Sequence, residues 1–163
     1  MASDRVEWTW RPVLVHSVRT AIAAVVSLLA ARLFRLPESY WAPITTLVIT
    51  QSSVGAAFAV SSQRFVGTVL GAVVGGAVAS YFGPHLLVFG VCVFILGLLC
   101  ALTRSGQAAY RFGGVTLAIV VLIPRSNSAW LVAFHRFAEV SIGIAVALLL
   151  ATVWPDKDAM PSR

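Results

Sequence analysis

Gln63-Arg64-Phe65-Val66-Gly67-Thr68-Val69-Leu70-Gly71 opens the stretch that decides the fold. From Phe65 to Thr103 the chain carries no Asp, Glu, Lys or Arg. At ~1.5 Å per helical residue this run is longer than one crossing of a ~30 Å hydrocarbon layer, so it must fold back, and Gly83-Pro84-His85 supplies the turn. The same opening recurs as His135-Arg136-Phe137-Ala138-Glu139-Val140-Ser141-Ile142-Gly143, 72 positions on, again with a glycine seven residues after the arginine. A guanidinium at the head of a lipid-embedded helix costs roughly 2.5–3.5 kcal/mol on insertion scales. Bearing that cost twice in one context points to a polar duty such as handling an anion.

Composition agrees with the run. The chain has 163 residues, 59% of them hydrophobic and 11% charged, and a mean hydropathy of +0.90. A soluble domain cannot hide that much apolar surface, so an integral membrane protein is expected. The net charge of +6 is spread between apolar segments, and no nucleic-acid motif accompanies it. Cys92 and Cys100 share one apolar segment and read as packed thiols, implying neither a disulfide nor a metal. His16, His85 and His135 fall in different segments, no Ser/His/Asp or Cys/His spacing stands out, and no glycine-rich phosphate loop follows a strand. Neither an enzyme nor a cofactor is expected. Asp4 and Glu7 dilute the positive leader and Arg19 interrupts the first apolar run, so that run reads as a retained span and not a secretory signal.

Punctuation predicts six helices: 13–34, 40–50, 63–82, 86–103, 108–123 and 130–153. They make one transmembrane domain over 13–155, between an N-terminal segment 1–12 and a tail 156–163. Trp8, Trp10, Trp41, Trp130 and Trp154 sit at the expected limits, as an aromatic belt would. The second helix is the shortest. Pro43 and Gln51-Ser52-Ser53 leave it short, unless it continues to Val60, and a broken helix at membrane depth needs protein or a water-filled cavity around it. The bias of basic residues favours an inner-membrane protein with both termini in the cytoplasm.

The repetition extends beyond the arginines. Tyr40, Thr46, Leu47 and Ile49 share their spacing with Tyr110, Thr116, Leu117 and Ile119, offset by 70, and Arg32 and Arg104 are 72 apart. An all-α protein of two three-helix units follows. Since three crossings are odd, the second unit would be inverted, with a transport site near the midplane between the halves.

Several side chains invite a functional reading. Gly67, Gly71 and Gly75, with Gly143 in the second copy, form small-residue stripes whose ordinary use is close helix packing; with Arg64 at its mouth, the first stripe also reads as a charged crevice. Arg64 alone would be a helix-end arginine reaching for headgroups, and its repetition at Arg136 argues for anion contact. Glu139 lies three residues from Arg136 and four from His135. It either neutralises Arg136 or, tuned by Arg136 and His135, couples proton movement to export. Arg19 lies within the first helix and is a further candidate for the interior. Arg111 is either that or a loop arginine obeying the charge bias.

Tyr40-Trp41-Ala42-Pro43-Ile44-Thr45-Thr46, the polar Gln51-Ser52 region and the Arg64–Gly71 segment, in this order, resemble the fusaric acid resistance (FUSC) family, which is similar to aromatic acid exporters and aluminium-activated malate transporters. The resemblance covers about residues 13–155. It implies a six-helix domain with a basic pathway for carboxylates or other organic anions. Tyr40, Trp41 and Pro43 would shape the broken helix, and Arg64, Gly67, Thr68 and Gly71 the crevice. Larger relatives pair two such units, so this chain is expected to form a homodimer in the bilayer. The expected activity is export of small organic anions. A passive anion channel and a non-transporting scaffold are the alternatives.

Overall fold

Helix length is set here by where the apolar run meets a residue that cannot continue it. The computed structural model describes residues 10–50, 54–83, 85–123 and 128–154, which form six helices and, among the described residues, no strand. These are α1 (Trp10–Leu33), α2 (Trp41–Ile49), α3 (Val54–Phe82), α4 (Leu86–Leu102), α5 (Gly106–Leu122) and α6 (Ala129–Val153). α1, α3 and α6 are long and apolar enough to cross a membrane. α4 and α5, at 17 residues each, sit at the lower limit of a span. α2 has nine residues, so at ~1.5 Å per residue it cannot cross alone.

The largest departure from expectation is the start of α3, which begins at Val54 and not at Gln63. Val54–Val60, offered above as an extension of the second helix, belong instead to the third. No proline interrupts Val54–Gln63, and the Ser62 hydroxyl donates to the Ala59 carbonyl at 2.9 Å, so the serines do not break the helix. Arg64 is therefore nearly three turns inside α3, not at its head. The other limits shift by three residues or fewer. The predicted stops at Pro84, Pro124 and Pro155, the polar Gln51-Ser52-Ser53 and Trp8 lie outside the described residues.

α1 and α4 end alike. Leu36 N–H donates to Ala31 O at 3.2 Å and Arg35 N–H to Arg32 O at 2.9 Å; Ser105 N–H donates to Cys100 O at 3.1 Å and Arg104 N–H to Ala101 O at 3.2 Å. Each is a Schellman close, with an arginine in the left-handed position that usually falls to glycine: φ is 52° at Arg35 and 51° at Arg104. That conformation costs a non-glycine residue roughly 1–2 kcal/mol.

The bundle is organised around α3 and α6. α3 packs on α5 and α6, α6 on α3 and α2, α1 on α2 and α6, and α4 on α5 and α3. Glycines permit the closest of these approaches. A Cβ at Gly67 would run into the Ala109 carbonyl and one at Gly71 into the Gly113 carbonyl, both on α5. One at Gly143 would lie 2.5 Å from the Ala42 carbonyl on α2. Further along, Gly75 faces Val120 and Gly76 faces Trp130. Thr46 Oγ1 lies 3.1 Å from both the Ala42 and the Gly143 carbonyl oxygens, tying α2 to α6.

Candidate functional site

An apolar bundle that buries charge must surround it with partners, because an unpaired polar atom in its interior costs several kcal/mol. Among the described residues the buried polar and charged side chains are Arg19, Ser27, Thr45, Thr46, Ser61, Arg64, Thr68, Thr116, Arg136 and Glu139. Arg64 and Arg136 are the centres of two adjoining clusters where α3 and α6 cross. The crossing is marked by Phe65 and Phe137, whose rings meet edge to face at 5.5 Å.

Arg136 is 1% exposed and enclosed by carboxylates. Its Nη1 donates to Glu139 Oε2 at 3.1 Å and lies 3.8 Å from Glu38 Oε2. The Glu38 backbone N–H donates to the other oxygen of Glu139 at 3.1 Å. The guanidinium also stacks on the Trp41 ring, 3.8 Å from its centroid. Glu139 is fully buried, and both of its oxygens are engaged. Ion pair, cation–π contact and a second carboxylate together offset the cost of burying this charge.

Arg64 has different company. Its Nε and Nη2 both donate to Thr45 Oγ1, at 3.2 and 3.0 Å, and its guanidinium lies over the Phe112 ring at 4.7 Å. No carboxylate of the described residues is within ion-pair distance of it. One turn away on the same face, the Ser61 hydroxyl is buried without a hydrogen-bond partner. Arg64 is thus a buried cation held by a neutral oxygen and a ring.

The other candidates divide. Thr68 is buried on the Arg64 face of α3, and Arg19 is buried in α1. Arg111 is exposed on α5, and Tyr40 is half-exposed with its ring 5.7 Å from that of Trp41. Trp41 serves as the platform for Arg136. His135 packs its ring near Phe134, at 6.4 Å, and is not among the partners of Glu139. Four residues of the two clusters escaped the sequence reading: Glu38, Thr45, Ser61 and Phe112. Glu38 had a signal, since it and Glu139 are the only acidic residues between Trp10 and Trp154. Among the described residues no three His, Cys, Asp or Glu side chains group as a metal site would require.

Residues 20–150 match the family model described as fusaric acid resistance protein-like. The inner membrane protein YeeA of Escherichia coli (strain K12) is 32% identical over 149 residues, covering 88% of this chain and 42% of that protein. A Mycobacterium bovis protein named "Putative arylamide transporter" is 29% identical over 147 residues, 86% of this chain and 41% of its own length. "Uncharacterized transporter YdhK" of Salmonella typhimurium is 28% identical over 155 residues, 90% of this chain and 22% of that protein. The chain therefore spans less than half the length of each of these relatives. No solved structure matches it.

Proposed function

The chain belongs to the fusaric acid resistance protein-like family, and on that premise we propose that it is a transport unit for small organic anions, exporting aromatic or other carboxylates. The observation that carries this reading is Arg64: a buried cation in an apolar bundle, with hydroxyl and ring partners and, among the described residues, no carboxylate beside it. Such a charge is costly unless an anion visits it, and guanidinium is suited to carboxylate. The transporter names of two relatives support membrane transport in general. Arg136, Arg19, Thr68 and Trp41 complete a polar interior, with Tyr40 and Arg111 towards its ends. The arrangement is an inverted pair of three-helix units in an inner membrane, both termini cytoplasmic, and the transporter is a homodimer.

Several contacts support the inverted pair. Each Arg-Phe helix lies against the second helix of the other unit, α3 on α5 and α6 on α2, with Gly71 and Gly143 at matching approaches. Each arginine stacks on an aromatic ring of that partner helix, and the two phenylalanines meet.

One observation favours a passive anion conductor over a proton-coupled exporter. Glu139 spends both oxygens on Arg136 and the Glu38 N–H and does not contact His135. Proteoliposomes loaded with benzoate and other carboxylates test the reading. Anion flux should appear with the wild type and drop at least about tenfold in Arg64→Gln, the ~1.4 kcal/mol of a single lost contact to a charged group. Equal flux in the variant and the wild type, or none above protein-free vesicles, would falsify it. Glu139→Gln separates the mechanisms: coupled export loses uphill transport, whereas a passive conductor has none to lose.

A further inference from the structure

α4 and α5 leave an open groove of about 580 Å3 between them, within the ~300–1,000 Å3 range of small-molecule sites. Phe94, Leu98 and Ala101 of α4 and Tyr110 of α5 line its length, and Arg104 and Gln107 close one end. Phe94 is 67% and Leu98 50% exposed, so the trough faces whatever surrounds the bundle. Its closed end is cationic. Arg104 is exposed, in the left-handed position that a glycine would occupy without steric cost. No acidic residue lies on α4, α5 or the turn joining them. Ser105 turns its hydroxyl to Thr103 Oγ1 at 2.7 Å and makes no capping bond to α5, whose first N–H groups add partial positive charge at the same end.

We propose that this groove binds one phospholipid with an anionic headgroup, an acyl chain lying along Phe94 and Leu98 and the phosphate meeting Arg104 and Gln107. Basic pockets between membrane helices take anionic headgroups in this way. A long apolar trough ending in a cation matches such a lipid at both ends. Inorganic phosphate would satisfy the arginine and leave the trough empty. A second copy of this chain is a poorer occupant, since the acidic residues of the described structure, Glu38 and Glu139, lie in the Arg136 cluster and not on an exposed face.

Native mass spectrometry of the full chain in detergent, with phosphatidylglycerol or phosphatidylcholine added, tests the assignment. The wild type should retain phosphatidylglycerol about fivefold more than phosphatidylcholine, the effect of one arginine near an anionic headgroup. Arg104→Gln should erase that preference, as should Arg104→Gly, which the left-handed backbone favours and which therefore keeps the fold. Leu98→Trp, filling the trough, should lose both lipids, and inorganic phosphate should displace neither. Equal retention of the two lipids by the wild type overturns the proposal. So does an unchanged preference in the Arg104 variants whose circular dichroism matches the wild type, displacement by inorganic phosphate, or a Leu98→Cys chain that cross-links to a second copy in place of binding lipid.

Discussion

Arg64 and Arg136 sit at like positions on α3 and α6, each before a phenylalanine, each stacked on a ring of a neighbouring short or apolar helix, each seven residues before a glycine that lets that neighbour approach. Their electrostatic surroundings differ. Glu139 pairs with Arg136 at 3.1 Å and Glu38 lies 3.8 Å from it, whereas Arg64 rests on the Thr45 hydroxyl. Residue 67 explains part of the difference: where α6 carries Glu139, α3 carries Gly67, pressed against α5. The same framework thus holds one arginine neutralised and one open. Close packing can be repeated by repeating glycines, but a carboxylate needs volume, and α3 has none to give beside α5.

Removing charge from each cluster should separate the two arginines most strongly. Glu139→Leu takes the 3.1 Å carboxylate away from the buried Arg136, and breaking a buried pair costs about 3–5 kcal/mol. Arg64→Met removes a charge that has no acidic partner among the described residues and should leave stability within about 1.5 kcal/mol of the wild type, as volume-conserving apolar exchanges do. Unfolding in mixed micelles measures both. A loss in Arg64→Met as large as that in Glu139→Leu would mean the two clusters are not the opposites described. The double variant Arg136→Met/Glu139→Leu should recover most of the loss, because the pair is removed together.

The second comparison concerns what the clusters share. Gly71→Ala and Gly143→Ala each drive a methyl into a backbone carbonyl, of Gly113 and of Ala42 respectively, and overpacking costs about 1–3 kcal/mol. The two losses should be alike, since both come from the same approach of a partner helix. Gly55→Ala is the control: a Cβ there meets nothing within 4 Å, and the substitution should stabilise by roughly 0.5–1 kcal/mol through helix propensity. A large loss at one glycine with none at the other would separate the halves that their packing joins.

Much of this was legible in the residues. The charge-free run, the paired Arg-Phe openings and the glycine stripes fixed an apolar helical bundle and named Arg64, Arg136 and Glu139. Three things were hidden, each for a physical reason. The start of α3 was hidden because Ser61 and Ser62 look like a break, although the Ser62 hydroxyl bonds within its own helix. Phe112 was hidden because an offset of 70 aligns Arg111 with Trp41, and one residue is a rotation of about 100° on a helix; Arg111 is exposed while Phe112 meets Arg64. Glu38 was hidden because its partner lies 101 residues away, a distance no local pattern spans.

Glu38 also gives the smallest expected effect and the most discriminating one. Its carboxylate is 3.8 Å from Arg136 Nη1 and 17% exposed, and it is the backbone N–H, not the side chain, that binds Glu139. Glu38→Gln keeps that N–H and removes a charge 3.8 Å from Arg136 Nη1, so the stability loss should be smaller than that of breaking the Arg136–Glu139 pair. Glu38→Pro removes the N–H itself and leaves one oxygen of Glu139 unpaired in a fully buried position, which should cost about 1–3 kcal/mol. If the glutamine variant were the more damaging of the two, Arg136 would depend on both carboxylates equally and the α1–α2 turn would act through charge. The opposite order would show that the turn holds the Arg136 cluster through its backbone, a support that has no counterpart at Arg64 among the described residues.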